Sequence, residues 1–323
     1  MTDTSMTILI AHDPHFTLTP ARLMEIGRAV PGAEVLYEDC ARLSPGSLAR
    51  ADVIFGAPEP ASLPKAVCLK WLHLSCAGIE RYTDPSLYTD RSVIITRSRG
   101  VCNVPMAEHA LSLMLALGRG LPEYIAAQHE GIWNDRGDAL ELCGANVCIA
   151  GYGAVGDALG RLLVPFSCRV TGISRFPRPK PDYIDALLPS PALDSVLRDA
   201  DYVACTLPLT PETKGLFGRE RFSLFKRGSV FINVGRGALV DTDALTEALA
   251  LGRPAFAGLD VADPEPLPPE HPLWRTEGVV ITPHVSGRSV HTSARRFALF
   301  MDLLARYLEG RRLPGEVDFG KGY

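Results

Sequence analysis

The stretch Gly151-Tyr152-Gly153-Ala154-Val155-Gly156 sets three glycines at the first, third and sixth positions of a turn. Alone, this pattern is weak, because glycine is common. Its context makes it specific. The apolar run "NVCIA" ends immediately before Gly151, and Val155, Leu159, Leu162 and Leu163 follow on one helical face up to Pro165. In such a strand–turn–helix the first glycine permits the tight turn. The second lets backbone approach a pyrophosphate, and the third lets helix and strand pack closely. The helix N-terminus then offers N–H groups and a positive dipole end to phosphates. The bland alternative is a glycine-rich turn without a ligand; the flanking strand and helix favour a dinucleotide site.

The residues after the next strand bear on which dinucleotide. An NAD site expects an acid about 20 residues past the first glycine. Here that place holds Ser174, Arg175 and Phe176, and the nearest acids, Asp182 and Asp185, lie beyond a proline-rich loop. A carboxylate would repel a 2′-phosphate. Ser174 can donate a hydrogen bond to one, and Arg175 can pair with it through charge-assisted bonds. The expectation is NADP as the preferred cofactor, with NAD possible.

Three further polar residues follow strand-like runs: Arg236 in "FINVGRGALVD", Glu265 in "GLDVADPEPLPPEHPLW" and His284 in "VVITPHVSG". All three fall at C-terminal strand ends, the edge where open α/β sheets bind ligands. Any one alone reads as a loop arginine, a solvated acid or a structural histidine. Together, beside a nucleotide fingerprint, they could converge on the nicotinamide end of a cofactor.

The elements that must hold these residues are short β-branched runs alternating with helical patterns, which predicts an α/β fold with parallel sheets. Strand candidates are "TILIA", "EVLY", "DVIF", "WLHLS" and "SVIIT" in the first hundred residues. Six more follow from residue 146: "NVCIA", "RVTGI", "YVACT", "SVFIN", "AFAGL" and "VVIT". Near the C-terminus, apolar residues at 297, 300, 301, 304 and 308 predict an amphipathic helix that stops at Gly310. Periodicity leaves open whether it covers the second sheet or returns to the first.

At 323 residues the chain is long enough for two domains, and its net charge of −4 gives no general attraction to nucleic acid or anionic membrane. The eight cysteines include no Cys-x-x-Cys pair and no cluster with zinc-ligand spacing, so buried reduced thiols and no metal site are expected. The N-terminus lacks a basic segment followed by a long apolar run, and "ALSLMLALG" is too short to span a bilayer. A cytoplasmic protein is expected.

The chain resembles the D-isomer-specific 2-hydroxyacid dehydrogenases. The matching stretches are "ELCGANVCIAGYGAVG", "TLPLTPETKGLF", "FINVGRGALVDTDAL", "GLDVADPEPLPPEHPLW" and "ITPHVSG", with "LHLSCAGIERY" and "VPMAEHALSLMLALGRGL" before them. The likeness covers nearly the whole chain and is close to the glyoxylate/hydroxypyruvate reductase branch. It departs from the common family pattern at the missing acid after the second strand.

The resemblance implies two doubly wound parallel-sheet domains. A Rossmann cofactor domain, residues 100–286, is inserted into a flavodoxin-like substrate domain made of 1–99 and 287–323. It implies a homodimer, with the helix near 104–118 at the interface, and a small 2-oxo or 2-hydroxy acid as substrate. Arg236 would hold the substrate's carboxylate and carbonyl oxygen. His284 would protonate that oxygen, and Glu265 would fix the imidazole's tautomer and favour its charged form. Cys76, Ala77 and Gly78 would offer backbone N–H groups to the substrate. Thr206, Leu207, Pro208 and Thr213 would line the adenosine side of the cofactor. Val234, Gly235 and Asp260 would contact the nicotinamide side, with Arg236 and His284. Two rivals remain: an NAD-dependent dehydrogenase of larger, branched 2-hydroxy acids, and a nucleotide-sensing corepressor, since fold does not fix function. No long disordered interaction tail supports the corepressor.

Overall fold

The computed structural model describes residues 6–76 and 78–317. These residues fall into two compact units, one drawn from Met1–Val101 with Ser289–Tyr323, the other Cys102–Arg288. The first unit opens with β1 (Thr7–His12), α1 (Pro20–Ala29), β2 (Glu34–Asp39), α2 (Pro45–Arg50), β3 (Val53–Gly56), β4 (Trp71–Leu74) and β5 (Ile94–Arg97). Its strands are all parallel, in the order β2-β1-β3-β4-β5. Helices and loops cover both faces, so β1, β3 and β4 read as continuous apolar runs instead of alternating ones. Successive residues still point to opposite faces. Ile8, Ile10, Val53, Phe55 and Trp71 enter one core, and Leu9, Ala11, Ile54, Leu72 and Leu74 the other.

The second unit contains α3 (Asn103–Gly118), α4 (Leu121–His129), β6 (Asn146–Ala150), α5 (Ala154–Leu163), β7 (Arg169–Ser174) and β8 (Ala186–Pro189). It continues with α6 (Leu193–Leu197), β9 (Tyr202–Cys205), α7 (Arg219–Ser223), β10 (Val230–Asn233), α8 (Thr242–Ala250), β11 (Phe256–Leu259) and β12 (Val279–Ile281). The parallel strands run β12-β11-β10-β9-β6-β7-β8. The order reverses between β6 and β9, a topological switch point, and ligands bind outside the carboxyl ends of strands there. The sheet has seven strands where the sequence predicts six. The extra strand, β8, is only "ALLP", follows a proline-rich loop and lies at the edge, where a proline is tolerated. Its half-exposed residues give no buried-strand signal.

The last helix, α9 (Thr292–Leu308), belongs to the first unit. Phe297, Phe300, Leu303 and Leu304 pack with Phe55 and Trp71, and the Phe300 ring stacks on Phe55 at 4.2 Å between centroids. Leu308, expected on the apolar face, is exposed instead, at the helix's end. Cys148 and Cys205, in the apolar runs of β6 and β9, are buried, which pushes each thiol up to about 12. Cys68 and Cys143 are exposed, so burial does not hold for every cysteine. No helix among the described residues is long and apolar enough to cross a membrane.

Candidate active site

The glycine turn joins β6 to α5 at the switch point. Gly151 has φ +97°, and a Cβ there would lie 2.8 Å from the backbone nitrogen of Leu207. A side chain is therefore excluded both by conformation and by the loop after β9. Gly156 meets the Gly151 carbonyl and Ile149, each at 3.0 Å from an added Cβ. Gly153 differs: an added Cβ would meet only the Gly151 carbonyl oxygen, at 3.9 Å. Nothing among the described residues requires glycine there, whereas a ligand's phosphates approaching the turn would. Gly153 also caps α5 with no side-chain hydrogen bond to the helix N-terminus. Ala154 and Val155 begin that helix, so its first-turn N–H groups suit a pyrophosphate. The turn fits a dinucleotide.

Tyr152 faces inward. Its side chain is 2% exposed, wedged where Cβ atoms on Gly160 or Gly172 would come within 2.7 and 2.5 Å of it. Its N–H donates to the Ile173 carbonyl at 2.6 Å. Tyr152 thus packs the fingerprint against β7, and these two glycines make room for it. Thr206 ties the switch point together: its hydroxyl donates to the Gly151 carbonyl at 2.6 Å. Thr213 closes the next turn, donating to the Pro208 carbonyl and accepting from Thr210 N–H, both at 2.8 Å. At the end of β7, the Ser174 hydroxyl donates to the Phe176 carbonyl at 3.0 Å, and Arg175 lies 3.7 Å from the Glu212 carboxylate.

β10, β11 and β12 are neighbours in the sheet, and Arg236, Glu265 and His284 follow them in that order. Buried Asn233 shapes the first loop. Its side-chain oxygen accepts from Gly235 N–H at 3.0 Å, and its amide donates to the Arg236 carbonyl at 3.0 Å. Val234 donates its N–H to the Cys205 carbonyl, and Arg236 Nη1 donates to the Gly235 carbonyl at 2.9 Å. A Cβ on Gly237 would fall 1.8 Å from the Ala262 carbonyl oxygen. The Arg236 loop therefore rests directly on the loop that leads to Glu265.

Glu265 and His284 meet: Nδ1 and Oε1 are 2.7 Å apart, with both side chains nearly half exposed. A carboxylate only accepts, so Nδ1 carries the hydrogen and Nε2 is left for chemistry. His284 holds φ +52°, a left-handed conformation unfavourable for a non-glycine residue. Asp260 maintains it. The His284 N–H donates to the Asp260 carbonyl at 2.8 Å. The Asp260 carboxylate, on a residue 1% exposed, accepts from Thr282 hydroxyl, Val285 N–H and Ser286 N–H at 2.6, 2.8 and 2.9 Å. His109 of α3 reaches the same knot, Nε2 lying 2.9 Å from Thr282 Oγ1 and 3.7 Å from the carboxylate. These bonds make Asp260 the clamp of the His284 turn.

Cys76 and Gly78 follow β4 in the first unit, where the Cys76 thiol donates to the Gly78 carbonyl at 3.2 Å; Ala77 lies outside the described residues. Sequence reasoning missed Asn233, Thr282, His109 and Glu212. Asn233 sits two residues before Gly235 in a turn sequence, a signal that was available. His109 is 173 residues from Thr282, and no local pattern connects them.

A glycine turn at the switch point of a doubly wound parallel sheet defines a dinucleotide-binding α/β domain. Residues 111–286 match the family description "D-isomer specific 2-hydroxyacid dehydrogenase, NAD binding domain". The chain is 35% identical over 235 residues to glyoxylate reductase/hydroxypyruvate reductase of Mus musculus, covering 70% of each. A crystal structure of a D-isomer specific 2-hydroxyacid dehydrogenase family protein from Aeromonas salmonicida superposes with a TM-score of 0.86, at 30% identity over 98% of this chain and 99% of that one. An NADPH-dependent glyoxylate/hydroxypyruvate reductase from Sinorhizobium meliloti, solved with NADP and sulfate, gives 0.81 at 27% identity, covering 99% and 100%. The chain belongs to the D-isomer specific 2-hydroxyacid dehydrogenase family. It is an NAD(P)-dependent oxidoreductase similar to the glyoxylate/hydroxypyruvate reductases.

Proposed function

We propose that this protein is an NADPH-preferring reductase of small 2-oxo acids, such as glyoxylate or hydroxypyruvate, giving the D-2-hydroxy acid where the product is chiral. The observation that carries the reading is the 2.7 Å bond between His284 and Glu265 at the edge where Arg236 also emerges. A bound reduced nicotinamide supplies the hydride equivalent to the substrate's carbonyl carbon. His284 holds a proton on Nε2 and passes it to the carbonyl oxygen, while Nδ1–H stays on Glu265. Arg236 holds the substrate's carboxylate and polarises the carbonyl oxygen, a fixed charge where negative charge develops. Glu265 keeps the imidazole's orientation and stabilises the imidazolium before transfer.

For the cofactor, the turn from Gly151 to Gly156 takes the pyrophosphate, mainly through Ala154 and Val155 N–H groups. Thr206, Leu207, Pro208 and Thr213 line the adenosine side, and Val234 and Gly235 the nicotinamide side, where Asp260 acts through the His284 turn that it holds. The preference for NADP rests on Arg175 and on the absence of an acid after β7. A homodimer, which the resemblance places at α3, would extend to α4, none of whose side chains is fully buried, and to Trp133, which is 99% exposed just beyond it. A panel of 2-oxo acids, assayed with NADPH and NADH side by side, tests the reading. The expected result is highest kcat/KM for glyoxylate or hydroxypyruvate with NADPH. Preference for bulky branched 2-oxo acids with NADH would replace it with the NAD-dependent alternative.

A further inference from the structure

Three cationic side chains follow β7, and they differ in what they touch. Lys180 Nζ donates to the carbonyls of Pro181 and Ile184, at 3.2 and 2.7 Å, and so staples its own loop. The Arg178 guanidinium lies 4.9 Å over the Tyr152 ring. Arg175 reaches toward the loop after β9, its Nη2 lying 3.7 Å from Glu212 Oε1. Glu212 belongs to the loop after β9. Since β7 and β9 flank β6 on opposite sides, the pair bridges past the C-terminal end of the fingerprint strand. That is the side on which a cofactor's adenosine ribose must lie.

Glu212 is placed there by its turn. Thr213 bonds to both Pro208 and Thr210, which fixes residues 210–213. The Thr210 hydroxyl and the residue's own N–H hold the Glu212 carboxyl below the usual range, with Arg175 a smaller contributor. Glu212 is thus a fixed negative charge facing the cation to which NADP selection is assigned.

We propose that Glu212 is a specificity-determining residue that tempers NADP preference. Its carboxylate is the counter-charge of Arg175 in the nucleotide-free protein, and a 2′-phosphate must take the guanidinium from it. NAD, which brings no 2′-phosphate, leaves the pair intact. The proposal rests on the reading of Arg175 as the 2′-phosphate ligand. Both side chains are more than half exposed, so the effect is modest and screened by salt.

The test compares Kd values of NADP and NAD for the wild type, Glu212→Gln, Arg175→Ala and the double variant, at about 0.05 M and 0.5 M salt. Glutamine keeps an oxygen for Thr210, so the turn persists. Glu212→Gln should tighten NADP about two- to fivefold at low salt and leave NAD within about 1.5-fold. The gain should shrink at high salt and vanish on the Arg175→Ala background. If Arg175→Ala weakens NADP selectively but Glu212→Gln leaves NADP unchanged, or shifts both nucleotides alike, this inference fails and the cofactor reading stands. If Arg175→Ala affects both nucleotides equally, the cofactor reading and this inference fail together.

Discussion

Replacing Asp260 with asparagine tests whether the His284 turn is held as described. The carboxylate takes three hydrogen bonds in a site from which water is excluded. Asparagine fills the same volume but offers one accepting oxygen. Its NH2 must then face a backbone N–H of Val285 or Ser286. Each bond to a charged acceptor is worth about 1.5–3 kcal/mol, and an unmatched buried N–H costs about 1–3 kcal/mol. A net loss near 3 kcal/mol is therefore expected. The strain at His284, φ +52°, is released once the clamp loosens, so the imidazole leaves its working position. At about 1.4 kcal/mol per tenfold, turnover should fall on the order of 100-fold. Tm should fall by about 6–12 °C for a domain of this size. NADPH-dependent reduction of glyoxylate, nucleotide Kd and thermal unfolding measure the three effects. Nucleotide Kd should move by less than about threefold, because the fingerprint lies elsewhere on the sheet. A variant with near-wild-type kcat, or with Kd rising as far as kcat falls, would refute the clamp; the second result would make Asp260 a direct nicotinamide ligand.

Two glycines should separate packing from ligand approach. Gly237→Ala sets a methyl against the Ala262 backbone and should cost about 2 kcal/mol or more, read in thermal unfolding. Gly153→Ala meets almost nothing in the protein, so Tm should hold while NADPH affinity drops at least about tenfold, because the methyl occupies the phosphates' approach. His73 is buried and neutral, its imidazole pushed from 6.5 to about 3 by burial. The unfolded chain protonates it below 6.5 and the folded chain does not until about 3, so stability falls with pH through that window, by at most about 1.4 kcal/mol per pH unit. Denaturant titrations should show His73→Gln losing about one proton from that slope; an unchanged slope would contradict the buried neutral imidazole. Trp133→Ser should shift a homodimer toward monomer in light scattering, and an unchanged mass would move the interface elsewhere.

The strands that carry the site were legible because each is a short apolar run ending at a marked turn: "NVCIA" before Gly151, "VFIN" before Gly235, "VVI" before Thr282. β8 was not, because an edge strand of four half-exposed residues has neither alternation nor a buried run. The pairing of Glu265 with His284 was implied by the family resemblance; the sequence itself placed each only at a strand end, and the pairing of β11 with β12 is what brings them to 2.7 Å. What Asp260, Tyr152 and Glu212 do was not legible. Asp260 satisfies backbone N–H groups 25 and 26 residues away, Tyr152 turns inward beside two glycines, and Glu212 meets Arg175 only because two strands flank a third. Those contacts exist only in the folded sheet, and residue type carries no trace of them.

His284→Ala decides whether His284 delivers the proton in 2-oxo acid reduction. Steady-state turnover of glyoxylate with NADPH should fall by about 100-fold or more, the scale of general acid catalysis, while the NADPH Kd stays within about threefold. Turnover within a few-fold of wild type would contradict the account.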